Sequence, residues 1–444
     1  MFNYPKGFYV DVRIEDVFTT RIAYKNGELY EQKVRSNKGA FVRVFDGDMW
    51  YYASFTNLGT IQYQIDNLAS MATPNINIED HPYIKMYEVN NEELMQYKHN
   101  SLKDVELKEK DTLLRKIVDL CKHETIKMTN IIYVDSVIEK EIFTSKGTHV
   151  KFDKQTCGLS MGMRCAYKEN KEYFGASNAR TTFDELKTTI PHFEKELEKN
   201  IDFIINAETF EPGVYPVLMS PLATGVFTHE SFGHKSESDF MVGDEAMRKE
   251  WVLGKKVGQP LLNIIDDGTV LGNGYVPFDD EGTKGSKTNI ITNGVLTDRL
   301  HNVATAAALN EKPTGNARSI GFEYEPLVRM TTTYIDKGTT PLEDIIKSIK
   351  YGVFVDTISY GTGMSTFTMA PTRAYKIENG KITKPIKLSV VTGNVFETLD
   401  KVDAISKEFE LLSFVVGGCG KMEQYPCPVG FGGPYTLVRK LNVL

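Results

Sequence analysis

The chain has 444 residues, 41% of them hydrophobic and 25% charged, with a net charge of −7 and a pI of about 5.8. That length exceeds a single compact core and calls for two or three domains in a globular protein. No block of basic residues offers a nucleic-acid surface. The longest apolar runs, such as residues 411–416, fall far short of a membrane span.

The N-terminus lacks a basic segment followed by an apolar stretch, so no signal peptide is expected. Five cysteines (Cys121, Cys157, Cys165, Cys419 and Cys427) are odd in number and form no CxxC pair. They read as reduced thiols of a cytoplasmic protein.

Residues 8–56 are rich in β-branched and aromatic side chains and read as strands, with Asn26-Gly27 as a hairpin turn. A helix is expected over residues 58–73 from its apolar spacing. Another falls within residues 101–124, where Leu113, Leu114, Ile117, Val118 and Cys121 share a face. Residues 130–177 are again strand-like and loosely echo the first block, each block carrying a Lys-Gly turn and a closing aromatic–Ala–Ser pattern. Residues 181–204 read as a helix that Pro191 breaks or kinks.

After residue 205 glycine becomes dense, in "DDGTVLGNGYVPFDDEGTKGSK", "YGTGMS", "VVGGCGK" and "VGFGGP". Short strands alternate with these turns, a pattern that leaves backbone close to a site. The expected architecture is α+β: an N-terminal α+β subdomain (1–80), a middle helix and strand subdomain (81–205), and a β-rich C-terminal catalytic domain (206–444).

The chain has eight histidines, and "FTHESFGHKSESD" places two of them five residues apart with a glutamate beside the first. A catalytic zinc needs about three protein ligands and an open position, plus a carboxylate that can take a proton from water. His229 and His234 suit two ligand positions and Glu230 the carboxylate. On a regular helix a separation of five leaves the side chains roughly 140° apart. A π-bulge would realign them, and Gly233 makes distortion easy. A bulged or broken helix is therefore expected around Ser231–Gly233. For a third ligand, Glu237 and Asp239 are near but read equally as solvated charges. Cys419, between glycines, is the better candidate and Cys427, between prolines, its competitor, and a buried inert thiol is the competing reading for either.

Several motifs together resemble the TldD/PmbA family, modulators of DNA gyrase and peptide-maturation metalloproteases, in its metal-bearing, TldD-like branch. "THESFGHKSESD" is similar to its His-Glu-x-x-x-His signature. "IDDGTVLGNGYVPFDDEGT", "GNARSIGFEYEPLVRMTTTYI", "RAYKIENGKITKPIK" and "GGCGKMEQYPCPVGFGGPYTLVRKLNV" are similar to further segments in the family's order. The resemblance implies His229, His234 and Cys419 as zinc ligands and Glu230 as general base. It implies a zinc-dependent peptidase that cleaves short or unfolded peptides with metal-activated water, working as a homodimer or with a sister TldE/PmbA-like chain. Two departures stand out: Thr332 replaces the family's Asn, and "GNARS" carries a single arginine.

Arg318, Arg329 and Asp280 are weak substrate-contact candidates. The acids Asp266, Asp267, Asp279, Asp280 and Glu281 could contact substrate or simply form turns. A second reading is a non-enzymatic assembly subunit with a structural or absent metal that presents peptides to a partner. A third is a hydrolase of a small amide. An acidic chain without a basic stripe is a poor direct DNA binder.

Overall fold

The computed structural model describes residues 2–444. Among these the first sheet has seven strands: β1 (Tyr9–Lys25), β2 (Glu28–Phe45), β3 (Trp50–Phe55), β4 (Asn91–Leu94), β5 (Ile126–Thr144), β6 (His149–Tyr167) and β7 (Asn170–Arg180). The order is β3-β2-β1-β5-β6-β4, with β7 also on β6. β1 and β2 form the hairpin expected of Asn26-Gly27, whose φ values of 51° and 84° match a turn with both central residues left-handed. β1 pairs with β5 from Asp11–Thr144 to Lys25–Asn130, so strands from either side of residue 80 share one sheet.

Alternation along β1 explains how this sheet is used. The even residues Val10 and Val12 pack with Val42 and Val44 against the helix Ile61–Met71. Further along the strand Ile22 and Tyr24 join Leu113, Leu114 and Ile117 of the helix Leu107–Leu120. The odd residues Asp11, Arg13 and Glu15 are buried too, and they meet the C-terminal half through charge. Arg43 clamps Asp11 at 2.7 Å and reaches Glu281 at 3.3 Å. Lys140 bridges Glu15 at 3.0 Å and Asp280 at 2.6 Å.

Pro191 acts as the sequence suggests. It sits in the first turn of the helix Ile190–Asn206, separating it from the short helix Phe183–Lys187. One expectation fails. Gly147 does turn between β5 and β6, but Lys38-Gly39 lies inside β2. The ring of Phe322 presses on Gly39, where a Cβ would fall 2.2 Å from Cε2, so this glycine makes room and does not turn the chain.

The second sheet has twelve strands among the described residues. At its centre the strand Gly213–Met219 pairs parallel with Tyr351–Thr362 and antiparallel with Gly430–Val443. The helix Pro221–Thr228 lies on this centre. It approaches so closely that a Cβ on Gly225 would sit 2.5 Å from the Gly432 nitrogen. That contact fixes the end of the helix over the sheet, where the histidine motif begins.

Candidate metal centre

Ser220 caps the helix Pro221–Thr228, its hydroxyl accepting from the Ala223 N–H at 3.2 Å, with Pro221 in the first turn. Helical conformation then continues, but the residues His229–Gly233 form a π-turn in which the His234 N–H donates to the His229 carbonyl. This five-residue bond absorbs the extra residue. The two imidazoles end up on one side, with centroids 5.1 Å apart and planes at 82°.

Gly233 serves here by size. Its φ of −55° is ordinary helix that any residue adopts, yet a Cβ would lie 1.9 Å from the Met330 sulfur.

Cys419 arrives on a short hairpin in which Cys419–Lys421 pairs with Gln424–Cys427. Gly417, with φ of 88°, supplies the left-handed step that turns the chain into it. The Cys419 carbonyl accepts from Arg329 Nη2 at 2.7 Å, which anchors the strand. Its sulfur stands 3.5 Å from His234 Nε2. The donor atoms of His229, His234 and Cys419 all lie within 4.8 Å of one another, and Cys427 is outside this group.

The donor set fits zinc. Bonds of about 2.0–2.1 Å to nitrogen and 2.3 Å to sulfur at tetrahedral angles separate the two donors by about 3.5 Å, which is the His234–Cys419 spacing. Burial pushes the Cys419 thiol up, but hydrogen bonds from His229 and His234 outweigh it and hold it at about 5, in the thiolate form that ligates metals. His229 Nδ1 is buried without a protein partner among the described residues. Glu230 is half-buried beside the group, and burial raises its carboxyl above the usual range while His229 and His234 pull it down.

The other candidates are drawn into the scaffold. Arg318 is buried and donates to the carbonyls of Met330 and Pro428. Arg329, fully buried, is committed to Cys419 and Gln424 carbonyls. Asp280 is held by Lys140, Arg13 and Ser319. Each of the three is engaged by protein groups in this arrangement, with Arg329 Nε left without a partner among the described residues.

The loop acids are buried as well. Asp266 accepts from Thr331, Thr333 and Asn316, and Asp267 from Thr269. Asp279 takes the N–H groups of Glu281, Thr283 and Ala317. Glu281 accepts from the Val303 N–H. Turn formation and the junction between the two halves account for them.

Sequence reasoning missed two features. Glu237 and Asp239 are not solvated charges. Glu237 is fully buried, with Oε2 3.0 Å from His234 Nδ1 and 3.2 Å from Lys421 Nζ, and Asp239 holds the same Lys421 at 2.6 Å. The signal available was the alternation of Cys419 and Lys421 on one strand. The second feature is the turn "YGTGMS". A Cβ on Gly363 would lie 3.1 Å from the Glu230 carbonyl carbon and oxygen, and one on Gly361 would lie 2.5 Å from Val226. These glycines let the turn close over Glu230.

Comparison with known proteins places these residues in a family context. Residues 212–444 match the family model described as the PmbA/TldA metallopeptidase C-terminal domain, and residues 10–72 match its domain 1. A metalloprotease of Methanocaldococcus jannaschii is 32% identical across 96% of this chain and 95% of its own length. A zinc metalloprotease TldD homolog of Saccharolobus solfataricus is 31% identical across 72% of each chain. Among solved structures, TldE of Thermococcus kodakarensis shares the fold with a TM-score of 0.75 at 16% identity, covering 98% of this chain and 96% of its own.

Proposed function

This chain belongs to the PmbA/TldD metallopeptidase family, and from that premise we propose that it is a zinc-dependent peptidase acting on short or unfolded peptides, with Glu230 as its general base. The observation that carries the reading is the convergence of His229, His234 and Cys419 donors within 4.8 Å, with Glu230 next to them. When bound, zinc supplies a Lewis acid for a peptide carbonyl and a water whose pKa is lowered to about 7.

The chain's own residues do the rest. His229 and His234, aligned by the π-turn, and the Cys419 thiolate hold the metal. Three protein donors among the described residues leave a coordination position for chemistry, whereas a structural zinc takes four. This favours the peptidase over an assembly subunit with a structural ion. Glu230 accepts a proton from the attacking water and returns it to the leaving amine. Burial raises its carboxyl toward the operating pH, which suits a group that must both take and give a proton. Gly363 packs closely against its backbone, and Gly361 packs beside Val226 one turn before it.

We place the activity in the cytoplasm on the reduced-thiol reading of the five cysteines. Among the described residues no helix is long and apolar enough to cross a membrane. The functional unit we propose is a pair, with a second copy or a sister chain of the same fold.

Substituting Glu230→Gln tests the mechanism. The variant keeps its zinc and loses peptide cleavage by at least about 100-fold. Cleavage at the wild-type rate would remove Glu230 from the reaction.

A further inference from the structure

Glu237 lies three residues beyond His234, fully buried, where an unpartnered carboxylate would carry a heavy desolvation penalty. Its Oε2 meets His234 Nδ1 at 3.0 Å and Lys421 Nζ at 3.2 Å, and its Oε1 has no partner among the described residues. Lys421 is itself buried and also binds Asp239 at 2.6 Å and the Val328 carbonyl at 2.9 Å. A neutral imidazole carries one N–H. With that N–H donated from Nδ1 to Glu237, the bare lone pair is on Nε2, the nitrogen 3.5 Å from the Cys419 sulfur.

The strand pairing is irregular between Cys419 and Lys421, but both are buried while Gly420 between them is exposed, so the two side chains face the same interior side. That strand presents a thiol to the His234 ring and an ammonium to the carboxylate that orients the ring.

We infer that Glu237 is a positioning residue of the metal centre: it fixes the tautomer and plane of His234, and Lys421 ties it to the strand that carries Cys419. The inference rests on the zinc-peptidase reading above. The clasp joins the two segments of the donor set, 185 positions apart in sequence, independently of the ion. It explains why a lysine follows the cysteine at this spacing. Metal-ligating histidines commonly donate their second nitrogen to a carboxylate, and such partners raise ligand basicity and hold the ring.

The test is the zinc dissociation constant, measured by chelator competition on the full chain, together with the visible spectrum of the cobalt-loaded protein. Glu237→Gln is expected to weaken zinc about 10- to 100-fold and to shift the cobalt bands. The fold survives because Asp239 still neutralises Lys421, which thermal unfolding of the metal-free protein checks. Asp239→Asn leaves Glu237 on His234 and is expected to keep wild-type affinity and bands. Lys421→Met attacks the clasp from the other side and weakens zinc in the same sense. Equal zinc affinity in wild type and Glu237→Gln overturns the proposal. An equal loss in Asp239→Asn also overturns it, by tracing the effect to charge balance at Lys421. A wild-type chain that takes no zinc overturns the parent reading, and this one with it.

Discussion

Replacing Gly233 with alanine sets two effects against each other. Alanine is better than glycine inside a helix by about 1 kcal/mol. Against that, the new methyl would sit 1.9 Å from the Met330 sulfur, 3.0 Å from its Cε and 3.2 Å from its Cγ. Non-bonded heavy atoms prefer separations of about 3.5–4.0 Å, so the thioether must move by about 1.6–2 Å. Met330 is fully buried in the main core cluster, so a displaced thioether must push against packed neighbours and the upper end of the overpacking range applies, about 3 kcal/mol. The net expectation is a loss of about 2 kcal/mol from these two terms.

Urea unfolding of the metal-free protein measures it. Met330→Ala alone opens a cavity and loses about 2–5 kcal/mol. The double variant should lose less than the sum, because the added methyl occupies part of that cavity, with a coupling of about 0.5–3 kcal/mol. A Gly233→Ala protein more stable than wild type, with no coupling to Met330, would refute the steric account of this glycine.

Two further outcomes follow from the same packing and charge. Gly363→Ala presses a methyl on the Glu230 backbone at 3.1 Å. Kinetics with parallel metal analysis should show zinc retained and cleavage lowered by about 3- to 10-fold, since an ångström of misplacement reduces rates by about 100-fold; full activity would show that the turn does not position Glu230. Lys154 lines a cavity with Lys140, Arg318, Asp280 and Ser319, and burial, then repulsion from Lys140 and Arg318, lowers its amine to about 7. Its folded pKa lies below the unfolded value, so the penalty for its charge is full below about pH 7 and fades as pH rises to the ordinary lysine value. Lys154→Met should therefore stabilise the protein most at pH 7 and below, with the gain vanishing above about pH 10.5; a gain independent of pH would contradict this origin.

Features governed by local periodicity were legible in the residues. Asn26-Gly27 names its turn, the face of the helix Leu107–Leu120 follows from spacing, and a spacing of five between the histidines demands a π-turn if both face one side. The resemblance to known metallopeptidases led to Cys419, which spacing alone left in competition with Cys427. What stayed hidden depends on long-range pairing. Glu237 reads as a surface charge until Lys421 is brought beside it. Asp280 and Glu281 look like turn residues until β1, β2 and β5 deliver Arg13, Arg43 and Lys140. Gly39 and Gly147 follow lysine alike, and only the ring of Phe322 tells the strand glycine from the turn glycine.

The central claim is that His229, His234 and Cys419 hold one zinc ion that peptide cleavage requires. Elemental analysis of the purified chain, paired with a chelator-sensitive cleavage assay on an unfolded peptide, tests it most directly. The account predicts stoichiometric zinc and cleavage in the wild type, both lost in Cys419→Ala. Full zinc retention in that variant, or cleavage indifferent to chelation, would contradict it.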